Sequence, residues 1–206
     1  MNFRPESNPS PSDPFPSDNP LDANTNVSSR PVVERFFEGI VQHTFSSHLG
    51  VPDPLLISYV SDFLVRSLRT EALAVRMLNG SLSDDYQTMS SEAQHRVGHA
   101  KIEAYQKLGE RILFWTGLYP EAVQATASPQ HDSSTDSLRL WFDRGKGAYA
   151  TLADLVVDLP SSKDVPRYPL CVDIADRFEM VAYGLREVRR NLEIDALEGN
   201  DKRLIL

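Results

Sequence analysis

The chain has 206 residues, 41% hydrophobic and 24% charged, with a formal net charge of -8 at pH 7. This suits one medium-sized globular domain with a tail, and the acidic surplus argues against unaided binding to nucleic-acid phosphates, which takes a basic footprint. A single cysteine, Cys171, excludes an intrachain disulfide framework and a thiolate-rich zinc site. With no apolar leader and no run of about 18–20 apolar residues, a membrane span is not expected and a cytoplasmic setting is.

Residues 1–30 are crowded with Pro, Ser, Asn and Asp, as in Asn8-Pro9-Ser10-Pro11-Ser12-Asp13-Pro14-Phe15-Pro16. Such a segment buries too little apolar surface to offset its ordering entropy, so it is expected to be a disordered extension suited to contacting partners. The helical domain spans 31–198. Val32, Val33, Phe36, Phe37, Ile40, Val41 and Phe45 recur at three and four residues, the apolar stripe of an amphipathic helix, which Gly50 ends. Asp53-Pro54 then starts a second helix, with Asp53 as N-cap and Pro54 at the first helical position. Its stripe holds Leu56, Tyr59, Val60, Phe63 and Leu64 and runs on to the Asn79-Gly80 stop.

A polar loop is expected over 79–88, followed by the longest helix, about 89–116, with Val97, Ile102, Tyr105, Leu108, Ile112, Leu113 and Trp115 in its apolar row. Gly117 ends it, and the Tyr119-Pro120-Glu121 turn opens a short helix. After a loop over 126–136, a fourth pattern runs to Leu159 through Leu138, Trp141, Phe142, Tyr149, Leu152, Leu155 and Val156. Gly145 and Gly147 each cost it about 1 kcal/mol relative to alanine, which close backbone packing near Tyr149 would offset. The last pattern begins near Pro166–Pro169 and passes Ile174, Phe178, Val181, Leu185, Val188 and Leu192, leaving 199–206 as a C-terminal tail. No alternating run bounded by hairpin turns is present. The expectation is an all-α bundle of about five helices.

Only one grouping has the residue types of a chemical site. Glu92, His95, His99 and Glu103 stand at steps of three and four, which on a continuous helix puts them on one face. Glu92-Ala93-Gln94-His95 also has the Glu-x-x-His spacing by which di-iron and di-manganese bundles present ligands. Imidazole nitrogen with carboxylate oxygen suits Zn, Fe or Mn. The chain has no second Glu-x-x-His, so a metal site would need a ligand from another helix; otherwise the four form a solvated polar face.

Other features are read structurally. His43 and His48 are placed at the core edge, His131 in an exposed loop, and Cys171 as an inert buried thiol. Gly145-Lys146-Gly147 matches a phosphate loop only in composition, because its lysine lies within a helical stripe. Arg186, Arg189 and Arg190 share a segment with Asp173, Asp176, Glu179, Glu187 and Glu193, the pattern of a solvated mixed-charge face. Trp115, Tyr119, Trp141 and Tyr149 are candidates to line a pocket for a small apolar ligand.

At Leu108-Gly109-Glu110-Arg111-Ile112-Leu113-Phe114, at Thr116-Gly117-Leu118-Tyr119-Pro120-Glu121 and at Gly145-Lys146-Gly147-Ala148-Tyr149, the chain resembles a loosely related group of uncharacterised bacterial helical proteins, over roughly residues 50–190. The resemblance implies an all-α fold and a bacterial origin, and it carries no activity, cofactor or catalytic residue with it. The favoured functional expectation is a non-enzymatic helical module that binds a protein partner or associates with itself. Its rivals are a metal-dependent bundle enzyme or sensor using Glu92, His95, His99 and Glu103, and an apolar-ligand binder.

Overall fold

The computed structural model describes residues 32–77, 82–125, 134–159 and 166–197. They form eight α-helices: α1 Val32–His43, α2 Pro54–Met77, α3 Leu82–His95, α4 Gly98–Leu118, α5 Pro120–Ala125, α6 Ser134–Val156, α7 Tyr168–Asp176 and α8 Phe178–Leu197. α1 runs on into a π-helical turn, Thr44–His48. No strand occurs among the described residues, and none of their helices is long and apolar enough to cross a membrane. The all-α bundle is as expected. The proposed tails at 1–30 and 199–206, the Asn79-Gly80 stop and His131 lie outside the described residues.

Several boundaries follow from local chemistry. The Asp53 carboxylate accepts hydrogen bonds from the backbone N–H groups of Leu55 (2.8 Å) and Leu56 (3.3 Å), capping α2 as its sequence requires. Gly50 adopts φ +67° and turns the chain out of the first helical segment.

Three expectations are corrected. Residues 82–88 are helical rather than loop, with Leu82 buried at the start of α3. The expected helix over 89–116 is two helices: Val97 is extended (φ -131°, ψ 155°) and Gly98 takes φ +57°, so the chain turns between α3 and α4. Val97, placed in the apolar row by its spacing, is instead 81% exposed at this corner. The last pattern likewise breaks, at Arg177 (φ -111°, ψ 24°), into α7 and α8. These two corners, together with the short helix α5 opened by Pro120, account for eight helices in place of about five.

α4 is the axis of the core. Ile112–Leu118 are buried without interruption, which requires neighbours on all sides of the helix. It packs against α3, α5, α6 and α8, with Tyr149, Leu152, Leu185 and Val188 among the fully buried side chains from the last two. Each large apolar side chain so covered contributes about 1.5–3 kcal/mol. Gly117 does not end α4; it lies in its last turn, where an added Cβ would stand 2.8 Å from Leu185 Cβ, and its bareness lets α8 approach. The Thr116 hydroxyl, fully buried among these groups, donates to the Ile112 carbonyl at 2.8 Å.

Candidate functional site

The corner at Arg96–Gly98 divides the His/Glu grouping. Glu92 and His95 lie in the last turns of α3, His99 and Glu103 in the first turns of α4. His95 Nδ1 lies 2.6 Å from the Ser91 carbonyl and Glu92 pairs with Arg96, while His99 Nδ1 meets Glu103 Oε1 at 3.1 Å. The side chains of Glu92, Arg96, His99 and Glu103 are all more than half exposed. Among the described residues no group of three or more His, Cys, Asp or Glu side chains gathers around a common point for a metal ion. The four residues thus make three local contacts on two helices and do not share one helix face.

What the corner does create is an open groove of about 220 Å³ between α3 and α4. α3 supplies Met89, Glu92 and Arg96; α4 supplies Ala100, Glu103, Ala104 and Lys107. Glu92 and Glu103 therefore face one space after all, whereas His95 and His99 do not line it. Ala100 and Ala104 are one turn apart and lack bulk, so the α4 backbone is approachable from the groove. Each wall carries one acid and one base.

The four candidate aromatics have separate surroundings. Trp115 and Trp141 adjoin a void of about 10 Å³, room for about one water and for no larger ligand. Tyr119 packs on Phe114 and Trp115, with ring centroids at 5.4 and 5.8 Å. Tyr149 lies fully buried in a polar network that its place in an apolar stripe does not reveal. Its hydroxyl is 2.8 Å from that of Tyr59, and Tyr59 donates to Glu110 Oε1 at 3.0 Å. The same oxygen accepts from Arg66 (2.7 Å) and Gln106 (3.0 Å).

This network ties α2, α4 and α6 together. Burial pushes both tyrosine hydroxyls well above their ordinary range; Tyr149 and Glu110 reinforce the rise at Tyr59, and Glu110 reinforces it at Tyr149, where the hydrogen bond with Tyr59 works the other way. They are held as neutral donors, and the arrangement is structural. The sequence signal that was missed is Gly109. An added Cβ there would sit 2.8 Å from the Tyr149 ring, so this glycine makes room for the ring beside Glu110.

The remaining candidates are also accounted for. Lys146 lies within α6 and pairs with Glu179 at 2.7 Å. Gly145 meets the Phe178 ring, so the close packing expected near Tyr149 is divided between two glycines on different helices. On α8, Arg189 pairs with Glu121 and Glu193, and Arg190 with Glu187. Burial pushes the Cys171 thiol up to about 12, and the unreactive form dominates at neutral pH. The chain matches no family model, and no curated protein or solved structure gives a significant match to it.

Proposed function

We propose that the chain is a helical protein-association module, and that the α3–α4 face bearing the groove packs against the same face of a second copy. The observation that carries this reading is the composition of the groove: a floor of Ala100 and Ala104, an adaptable Met89, and opposed charges on each wall. A two-fold contact brings identical patches together, so a patch attracts its copy only if it is self-complementary. Glu92 and Arg96 on one wall, with Glu103 and Lys107 on the other, meet that condition, because a copy turned over can set each acid against a base. The two alanines permit close helix approach. The overall charge of -8 opposes association at long range, so the contact is expected to strengthen with moderate salt until local pairing is screened. A cytoplasmic setting with a reduced Cys171 suits this reading.

Sedimentation velocity over a concentration series tests it. The expected result is a reversible dimer, weakened by Glu103→Lys and by Lys107→Glu and restored in part by the two together. A monomer at every concentration, or dimerisation indifferent to both charge reversals, overturns the reading.

A further inference from the structure

The first helical segment of the described residues widens where it ends. His43 closes α1 and His48 closes the π-helical turn Thr44–His48. In an α-helix each residue advances about 100°, so residues five apart are turned roughly 140° from each other. A π-helical turn bonds residue i to i+5 and returns the fifth residue to nearly the same side. The two imidazoles are accordingly neighbours: their ring centroids are 5.0 Å apart, with planes at 67°. Both side chains are exposed, not set into the core edge as their positions in the first pattern suggest.

We propose that His43 and His48 form a two-histidine chelate for a first-row divalent cation, copper(II) foremost, with zinc and nickel behind it. Metal–imidazole nitrogen bonds are about 2.0–2.1 Å, and the ring centroid lies roughly 1.1 Å beyond the nitrogen, so a bound ring is centred about 3.2 Å from the metal. Two such rings subtending about 90–110° at the cation have centroids about 4.5–5.2 Å apart, the range of square-planar through tetrahedral coordination. The observed 5.0 Å falls inside it. Exposure lets water fill the other positions and lets the rings turn their nitrogens inward.

The scaffold behind the pair is fixed. Thr44 and Phe45, the first residues of the π-helical turn, are fully buried, and the Phe45 ring fills the space that a side chain at Gly184 would take. The Leu49 N–H bonds back to the Thr44 carbonyl at 3.1 Å and the Val51 N–H to the Phe45 carbonyl at 2.8 Å. Asn191 of α8 donates to the Thr44 hydroxyl at 3.3 Å. Two exposed ligands on a turn held from beneath are set close together before the cation arrives, and that lowers the cost of capture. Among N-donor sites the divalent series favours copper(II) over nickel and zinc, which sets the order proposed.

The test is calorimetric titration of the full chain, free of affinity tags and chelator, with copper(II), nickel(II) and zinc(II), paired with electron paramagnetic resonance of the copper form. One equivalent of copper bound most tightly, with hyperfine coupling from two imidazole nitrogens, is expected. His43→Ala and His48→Ala should each weaken binding by at least the roughly 10–100-fold that even an outer-shell change costs, while His95→Ala/His99→Ala leaves it unchanged. Circular dichroism of the single variants should match the parent, since both side chains are exposed. Equal affinity in either single variant, a one-nitrogen spectrum, or loss of binding in the His95/His99 variant instead overturns the proposal.

Discussion

The hydroxyls of Tyr59 and Tyr149 lie 2.8 Å apart, and only Tyr59 reaches Glu110. A tyrosine has one proton to give. Tyr59 gives its own to the Glu110 carboxylate, so the proton between the two hydroxyl oxygens must come from Tyr149, and the donors run in one direction: Tyr149 to Tyr59 to Glu110. The two tyrosines are therefore not equivalent. Tyr59→Phe leaves the buried Tyr149 hydroxyl without an acceptor and removes a donor from Glu110, and should cost about 1–3 kcal/mol. Tyr149→Phe leaves Tyr59 still bonded to Glu110 and should cost only about 0.5–1.5 kcal/mol. Urea denaturation of the two variants checks the order; equal costs, or the reverse order, would remove the directional reading.

Gly109 and Gly147 are both helical glycines, and alanine should act on them with opposite sign. At Gly109 the new Cβ would meet Tyr149 Cε2 at 2.8 Å, and that ring is fully buried and tethered through its hydroxyl. It cannot swing aside, so Gly109→Ala should destabilise by about 1–3 kcal/mol as an overpacking change. At Gly147 nothing lies within 4 Å and the position is exposed. There Gly147→Ala should stabilise by about 0.5–1 kcal/mol, the helix-interior penalty of glycine removed. Thermal melts of the pair would show the divergence, and a shift of the same sign in both would refute the packing argument.

Much of this architecture is legible because periodic burial decides it. The stripes from Phe37 to Phe45 and from Leu56 to Leu64, and the Asp53-Pro54 start, read directly from residue spacing and capping chemistry. The corner at Gly98 does not, because residues 89–96 and 98–116 each continue the same helical period, and a glycine permits a positive φ without requiring one. That one dihedral separates Glu92 and His95 from His99 and Glu103, so a grouping defined by spacing dissolves in space. The converse happens at His43 and His48, five residues apart and unrelated on an α-helix, which the π-helical turn makes neighbours. Glu110 carries no signal in the sequence; its role depends on Tyr59 and Arg66, 51 and 44 residues away, arriving on a second helix. Spacing reports which face of a helix is covered, and it says little of which distant polar groups meet there.

Cys171 is fully buried, and its thiol is aimed at the Pro166 carbonyl, 3.7 Å away. Burial raises the thiol from about 9 to about 12, so the reactive thiolate is scarce in the fold. A disulfide-type thiol reagent at pH 8 should label it only as fast as the chain opens, and the rate should climb with urea through the unfolding transition. The raised value also has a stability consequence. A group whose folded pKa lies above its unfolded one stabilises fully below the unfolded pKa and loses that contribution as pH rises through the folded one. Stability should thus begin to decline above about pH 9 and fall further above about 10, where the raised pKa values of Tyr59 and Tyr149 add to it. In Cys171→Ala the first part of that decline should vanish. Immediate stoichiometric labelling without denaturant would contradict the buried placement.

Arg189 joins three elements through one guanidinium. Its Nη1 donates to the Leu118 carbonyl in the last turn of α4 and to Glu121 at 2.6 Å, and its Nε donates to Glu193 at 2.8 Å. The plane also lies 4.8 Å from the Tyr119 ring centroid. Both glutamates are more than half exposed, so each ion pair contributes only about 0–1 kcal/mol. The carbonyl contact is different: it satisfies a helix-terminal acceptor with a charged donor, worth about 1.5–3 kcal/mol, and favours the negative end of the α4 dipole. Arg189→Ala should therefore cost more than Glu121→Gln and Glu193→Gln, and Arg189→Lys should recover only part of the loss, since an ammonium lacks the planar fork. Acid dependence offers an independent check. Burial would raise the Glu121 carboxyl, but the hydrogen bond from Arg189 outweighs it and the net shift is downward from 4.5. A depressed folded pKa gives stability above the unfolded value that is lost as pH falls through the folded one. Urea midpoints from pH 7 down to about 3 should fall less steeply in Arg189→Ala than in the parent chain; parallel curves would mean that Arg189 does not hold the Glu121 carboxylate.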